Sequence, residues 1–167
     1  MKNLLKSPPV LVILAFIIGI SISSTSQIVN GDYGFFEGLW PVIVGASFFM
    51  IVGAYGNAIY DAKMIKDGKY VDHPMRFITR AIAAILFSLI VMRDFTIDSG
   101  MLVVYQGFLF WLVFDPMLSI KRGREWDYLS KWYGTSWMDK VFKGNTVLWM
   151  TTKTFLFIAS LMYFILQ

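Results

Sequence analysis

The sequence predicts an all-α integral membrane protein with about five transmembrane helices, and three observations support this fold class. Apolar residues make up 57% of the 167 residues and charged residues only 16%, whereas an ordinary soluble domain is about 25% charged. The mean hydropathy is +0.61. The apolar residues also fall into runs of about 20, the length that a helix needs to cross the hydrocarbon core of a bilayer.

Five apolar segments are long enough, or nearly long enough, to cross a membrane. Together they leave no room for a sizeable soluble domain, so we expect a single polytopic helical domain over residues 1–167. The predicted spans are Pro9–Val29, Leu39–Tyr60, Met75–Met92, Met101–Ser119 and Val147–Leu166.

The first span follows Lys2 and Lys6 and ends in the small residues ISISSTS. A signal peptide shares this pattern. We expect a retained helix instead, and Pro8 and Pro9 permit one because the first amide groups of a helix need no helical partner. The second span contains Gly45 and other small residues, which let a neighbouring helix approach closely.

The third span is the most marginal, because Arg76 and Arg80 lie in its first turns. Asp72 or His73 is expected to cap it, and Pro74 suits its first turn.

The fourth and fifth spans each contain a charged residue. In the fourth, Asp115 precedes Pro116, which removes one helical hydrogen bond. One interpretation is that Asp115 caps a helix that restarts at Pro116. In the fifth, Lys153 lies about 9 Å along the axis from the start of the span at Val147.

The loop between the fourth and fifth spans contains REWDYLSKWY, in which apolar side chains recur at helical spacing. We expect a short helix in the cytoplasmic interface, with an aromatic face opposite a charged one. Its apolar face would consist of Trp126, Leu129, Trp132 and Tyr133.

Basic residues alternate between the loops. The N-terminus, the loop after the second span and the loop after the fourth span hold nearly all of the 15 lysines and arginines. Such loops face the cytoplasm in most membrane proteins. We therefore expect a cytoplasmic-membrane protein with a cytoplasmic N-terminus and an outside C-terminus.

Six polar residues fall in the predicted cytoplasmic half of the spans. A charge at bilayer depth costs about 2.5–3.5 kcal/mol on insertion scales, so pairing between helices is favoured. We predict that Arg80 pairs with Asp115 or Asp61, and Lys153 with Asp115. Each position also has an ordinary structural explanation, such as snorkelling or a helix end. The six are Asn57, Asp61, Arg76, Arg80, Asp115 and Lys153.

This polar cluster predicts an enzyme or a binding site for a phosphate-bearing or lipid-linked substrate. The candidate catalytic residues are His73, Asp61 and Asp115. His73 would carry protons, and the two aspartates would act as acid or base or as oxygen ligands of a divalent cation. Asn57 and Asp127 are candidate structural polar groups. The candidate phosphate-binding residues are Arg76, Arg80, Arg122, Arg124 and Lys153, because guanidinium and ammonium groups bind phosphate.

Two other functions remain open. The small residues and aromatic loop suit a non-catalytic assembly subunit or an oligomeric pore-forming effector, with a second copy or another membrane protein as partner. A channel or transporter needs polar residues through both leaflets, and the outer halves hold few. The expected partners are membrane lipids and not nucleic acid, and no zinc–cysteine, haem or flavin site is indicated because the chain has no cysteine and one histidine.

Overall fold

The structure is a computed structural model that describes residues 8–29, 35–93, 95–126, 141–142 and 145–166, with side chains outside 8–11, 24–29, 35–39 and 73. Its described part is all-helical and contains no strand, which confirms the predicted fold class. The helices are α1 (Pro8–Val29), α2 (Phe35–Lys66), α3 (His73–Met92), α4 (Ile97–Lys121) and α5 (Thr146–Ile165).

Four helices, α2 to α5, are long and apolar enough to cross a membrane. In α1 the described side chains form a shorter apolar stretch, Val12–Ser23. The chain is therefore a polytopic membrane protein. Its orientation in the membrane stays a prediction, and the predicted interfacial helix in the loop after α4 lies largely outside the described residues.

Helix α4 is the centre of the bundle and packs against α2, α3 and α5, while α1 packs mainly against α2. Consecutive helices are antiparallel, so α2 and α4 run in the same direction. The end at which α2 and α4 finish and α3 and α5 begin is called the basic end. Its exposed bases are Lys63, Lys66, Lys69, Lys121, Arg122 and Arg124.

Helices α2 and α4 run further at the basic end than the apolar segments predict. Helix α2 continues past Tyr60 to Lys66, and α4 passes through Pro116 without restarting and ends at Lys121. The interpretation of Asp115 as the cap of a restarted helix is therefore wrong. Each helix stops at a glycine in the left-handed region, Gly68 (φ 68°) or Gly123 (φ 72°), where most other side chains would be strained.

The cap of α3 settles one open choice. Asp72, rather than His73, is the residue before the helix, and its carboxylate accepts a hydrogen bond from the Met75 amide at 3.0 Å. Pro74 then lies in the first turn of the helix, where proline is favoured. The Asp72 cap and Pro74 together fix the start of α3 directly after Asp72. That start places Arg76 and Arg80 one and two turns into the helix.

The crossing of α1 and α2 depends on two glycines. A Cβ on Gly45 would collide with Ser23 Oγ and with the Gly19 carbonyl oxygen, and a Cβ on Gly19 would lie 2.8 Å from the Gly45 carbonyl oxygen. The two backbones therefore meet at a distance that only glycine permits. Below this crossing, the rings of Phe49 and Phe87 stack with centroids 5.1 Å apart and join α2 to α3.

Polar side chains in the half away from the basic end bond to one another. Ser47 Oγ lies 2.6 Å from Tyr105 Oη, which links α2 to α4. Gln106 Nε2 donates to Ser88 Oγ at 2.9 Å and links α4 to α3. Among the described residues, these four polar side chains connect helices in the half away from the basic end.

Candidate functional site

Two charged clusters lie in the half of the bundle nearest the basic end. The arginine cluster consists of Asn57 and Asp61 on α2 with Arg76 and Arg80 on α3. The lysine cluster consists of Asp115 and Trp111 on α4 with Trp149 and Lys153 on α5. Helix α4 separates them, because its Phe110 and Phe114 pack against Arg80 on the other side.

Asp61 is the centre of the arginine cluster. Its side chain is only 1% exposed, and each of its oxygens binds a different arginine. Arg76 Nη1 donates to Oδ1, and Arg80 Nη2 donates to Oδ2 at 3.2 Å. One buried carboxylate thus holds two guanidinium groups, and the cluster has a net charge of about +1.

Asn57 extends the cluster one turn further from the basic end. Its Oδ1 accepts a hydrogen bond from Arg80 Nη2 at 3.5 Å, and its Nδ2 donates to the Gly53 carbonyl at 2.8 Å. Asn57, Asp61 and Gly53 occupy one face of α2 because they are four residues apart. The role of Asn57 as a structural polar group stays a prediction.

Aromatic rings contact the guanidinium groups of both arginines. The guanidinium carbon of Arg80 lies 4.8 Å from the ring centroid of Phe110 and 4.5 Å from that of Phe114. Arg76 lies over Tyr60 at 4.7 Å. The buried Nε of Arg80 has no hydrogen-bond partner in the described part of the chain, and the two phenylalanine rings stabilise the guanidinium group by cation–π contact.

Helices α2 and α3 are bridged at this level by side chains rather than by close backbone packing. Helix α3 packs on α4 and α1, and the long arginine side chains cross to Asp61. Arg76 and Arg80 keep 19% and 23% of their side-chain surface exposed. The two arginine side chains are thus partly accessible, although the carboxylate that they share is not.

The lysine cluster is more enclosed. Lys153 is 0% exposed and its Nζ lies 2.5 Å from Asp115 Oδ2, whereas Asp115 is 27% exposed. The ammonium group also donates to the Trp111 carbonyl at 3.3 Å and lies 3.4 Å from the ring centroid of Trp149. A carboxylate, a carbonyl and an indole ring together replace the water that a buried ammonium loses.

Both predicted types of ion pair are present. Lys153 pairs with Asp115, and of the two partners predicted for Arg80 the structure forms the pair with Asp61. Asp115 still attracts Arg80 from the neighbouring cluster. The two aspartates proposed as catalytic groups or cation ligands are therefore bound to different bases, and the described residues contain no group of three metal-ligating side chains.

Of the remaining predicted site residues, two are described by the structure and belong to neither cluster. Arg122 and Arg124 are exposed where α4 ends. The side chain of His73 and the whole of Asp127 lie outside the described residues, so their predicted roles stay predictions.

The aromatic partners were not among the predicted site residues. A signal for the two tryptophans is present in the sequence, because Trp111 precedes Asp115 by four residues and Trp149 precedes Lys153 by four. Residues four apart share a helix face, so an aromatic residue one turn from a buried charge marks a candidate cation–π partner.

Comparisons with known proteins supply no relative on which to base a function. No protein-family model, curated protein or solved structure matches this chain. The identity that the observations support is the architectural one: a polytopic helical membrane protein with two ion-paired clusters near its basic end.

Proposed function

We propose that this membrane protein binds the phosphate group of an anionic lipid or lipid-linked substrate at the arginine cluster. The observation that carries the proposal is the stoichiometry of two arginines on one buried carboxylate. After Asp61 has neutralised one guanidinium group, the other remains as a positive charge in the half of the bundle nearest the basic end. An uncompensated charge at this depth is costly, and a bound anion would offset the cost.

The position of the two arginines supports a ligand that arrives from the membrane. Both arginine side chains are partly exposed on a helix whose neighbouring outward side chains are apolar, including Phe77 and Ile78. A lipid could therefore place its acyl chains along α3 and its phosphate beside Arg76 and Arg80. The exposed lysines of the basic end, such as Lys66, would attract anionic headgroups towards this place.

The ion-paired state of both aspartates favours binding over catalysis. Asp61 accepts bonds from bases on both of its oxygens, and Asp115 accepts one from a base on Oδ2. A general base needs to reach the proton that it abstracts. A binding function asks only that the guanidinium N–H groups not used by Asp61 be available to a phosphate oxygen.

The proposal is tested by measuring lipid binding to the purified full-length chain with native mass spectrometry. We expect wild type to retain phosphatidylglycerol in preference to phosphatidylcholine with the same acyl chains. Arg80→Gln should weaken phosphatidylglycerol binding by about tenfold, since a charge-assisted hydrogen bond contributes about 1.5–3 kcal/mol. Excess glycerol phosphate in solution shows whether a free phosphate ester competes with the lipid.

Lys66→Gln is the matched control, because it also removes one positive charge from the basic end but lies outside the cluster. We expect it to change binding much less than Arg80→Gln. Equal losses in the two variants would mean that net charge alone attracts the lipid, and would overturn the proposal. Arg80→Lys separates the roles of charge and of the guanidinium fork, provided that each variant unfolds at a temperature close to that of wild type.

The same ion pairs also favour a second function, in which they hold the helices together as a scaffold. Ion pairs join α2 to α3 and α4 to α5, and such pairs hold helix register in a non-catalytic assembly subunit. In that case Arg80→Gln would lower the stability of the protein, while its preference between the two lipids would stay at the wild-type value.

A further inference from the structure

We infer that the ligand of the arginine cluster is a phosphodiester with one negative charge, such as the headgroup of a diacyl anionic phospholipid, rather than a phosphomonoester. The inference rests on the proposed function and specifies its substrate class. It follows from the charge of the cluster and from the way in which Asp61 divides its two oxygens between the arginines.

The charge balance favours one negative charge. Asp61 binds both Arg76 and Arg80, which leaves a net charge of about +1 in the cluster. A phosphodiester brings one negative charge and neutralises it, whereas a phosphomonoester brings about −1.5 to −2 at neutral pH. The surplus would add to the negative charge of the buried Asp61, and like charges at this depth repel strongly.

The number of non-bridging phosphate oxygens also favours a phosphodiester. Asp61 presents one oxygen to Arg76 and the other to Arg80, so the two guanidinium groups are spaced to be bridged by a pair of anionic oxygens. A phosphodiester has two non-bridging oxygens and could bridge them a second time, from the exposed side. The third non-bridging oxygen of a monoester would have no further arginine of the cluster to bind.

Each of the two ester substituents of a bound phosphodiester can also be assigned a position on the protein surface. The arm that carries the acyl chains would follow the apolar outer surface of α3, where Ile82 and Ile85 are exposed. The other arm would point towards the basic end and the exposed Lys69. A headgroup without positive charge is expected there, because the lysines would repel an ammonium or choline group.

The test compares phosphatidylglycerol with phosphatidic acid of the same acyl chains, each in nanodiscs with a phosphatidylcholine background, on the full chain. We expect wild type to bind phosphatidylglycerol several-fold more tightly, although phosphatidic acid carries more charge. Asp61→Asn removes the negative charge of the cluster and should reverse the preference, because two arginines with no carboxylate match a doubly charged phosphate.

Asp67→Asn is the control for this reversal, because it removes one negative charge from an exposed position in the turn after α2. Its preference should remain that of wild type. Stronger binding of phosphatidic acid by wild type, or an unchanged preference in Asp61→Asn, would overturn the phosphodiester inference while the proposed lipid-phosphate function stands. If Arg80→Gln bound phosphatidylglycerol as tightly as wild type does, both the phosphodiester inference and the proposed lipid-phosphate function would be overturned. If Asp61→Asn does not fold, Asp61→Glu keeps the charge and should keep the preference for the diester.

Discussion

Lys153 Nζ lies 2.5 Å from Asp115 Oδ2, and this pair joins α5 to α4 through a lysine that is 0% exposed. The Trp111 carbonyl and the Trp149 ring also contact the ammonium group. Removing one partner of a buried ion pair costs about 3–5 kcal/mol, whereas replacing both with apolar residues is often close to neutral.

We therefore expect Asp115→Asn to lower the free energy of unfolding more than Lys153→Met does. The first takes the carboxylate at 2.5 Å away from a fully buried ammonium group, whereas the second leaves a carboxylate that is 27% exposed. Unfolding by a graded ratio of denaturing to mild detergent measures both. The double variant Lys153→Met/Asp115→Leu should recover most of the loss, and additive losses would show that the two residues do not interact.

The crossing of α1 and α2 predicts a contrast between two glycines of the same helix. Gly45→Ala should destabilise the protein by about 1–3 kcal/mol, the usual cost of overpacking a tight contact, because its Cβ would collide with the Gly19 carbonyl oxygen and with Ser23. Gly53→Ala is the control, since a Cβ there meets nothing within 4 Å. Alanine there should be neutral or stabilising by up to about 1 kcal/mol through helix propensity.

The same detergent titration measures the two glycine variants. A loss of stability in Gly53→Ala as large as that in Gly45→Ala would contradict the close crossing, because helix propensity alone favours alanine at both positions.

The buried amide of Gln106 predicts an asymmetry in a hydrogen bond between α4 and α3. Ser88→Ala removes the partner of Gln106 Nε2 and leaves a buried amide unsatisfied, which should cost about 1–3 kcal/mol. Gln106→Leu should cost less than this, because the Oε1 of Gln106 has no partner among the described residues and its burial is already unfavourable. The double variant should resemble Gln106→Leu, and thermal unfolding distinguishes these outcomes.

The predicted orientation is open to direct measurement because the chain has no cysteine. Single variants Phe95→Cys and Tyr70→Cys place thiols at exposed positions on opposite ends of α3. A membrane-impermeant maleimide added to intact cells should label position 95, and position 70 only after permeabilisation. The reverse pattern would invert the predicted topology. Ser99 is less suitable for labelling, because it is buried and completes the capping box of α4 with Thr96.

The helices could be predicted from the sequence because apolar length alone determines which segments cross a bilayer. The ends of α2 and α4 were placed too early, since a helix continues past the membrane until a residue stops it. The stopping residues were Gly68 and Gly123, and a transmembrane prediction from hydropathy does not register them.

The charged residues of the site could be predicted in part. The cost of a charge at depth indicated that Arg80 and Lys153 would find acids, and both do. The sequence could not choose between Asp61 and Asp115 for Arg80, because both lie at suitable depths on different helices. Nor did it indicate that Arg76 would share Asp61, since snorkelling to the headgroups was an equally good explanation.

The sequence by itself determined the class of the molecule, the long apolar helices that the structure describes and the half of the bundle in which the two clusters lie, because hydropathy and the cost of burying charge act on each segment separately. Only the tertiary structure decided that the charges form two clusters, with two arginines on one aspartate and a lysine enclosed by tryptophan. These arrangements depend on how far apart α2, α3, α4 and α5 lie and which faces they turn to each other. Helix packing sets both, and it reflects all the residues at once.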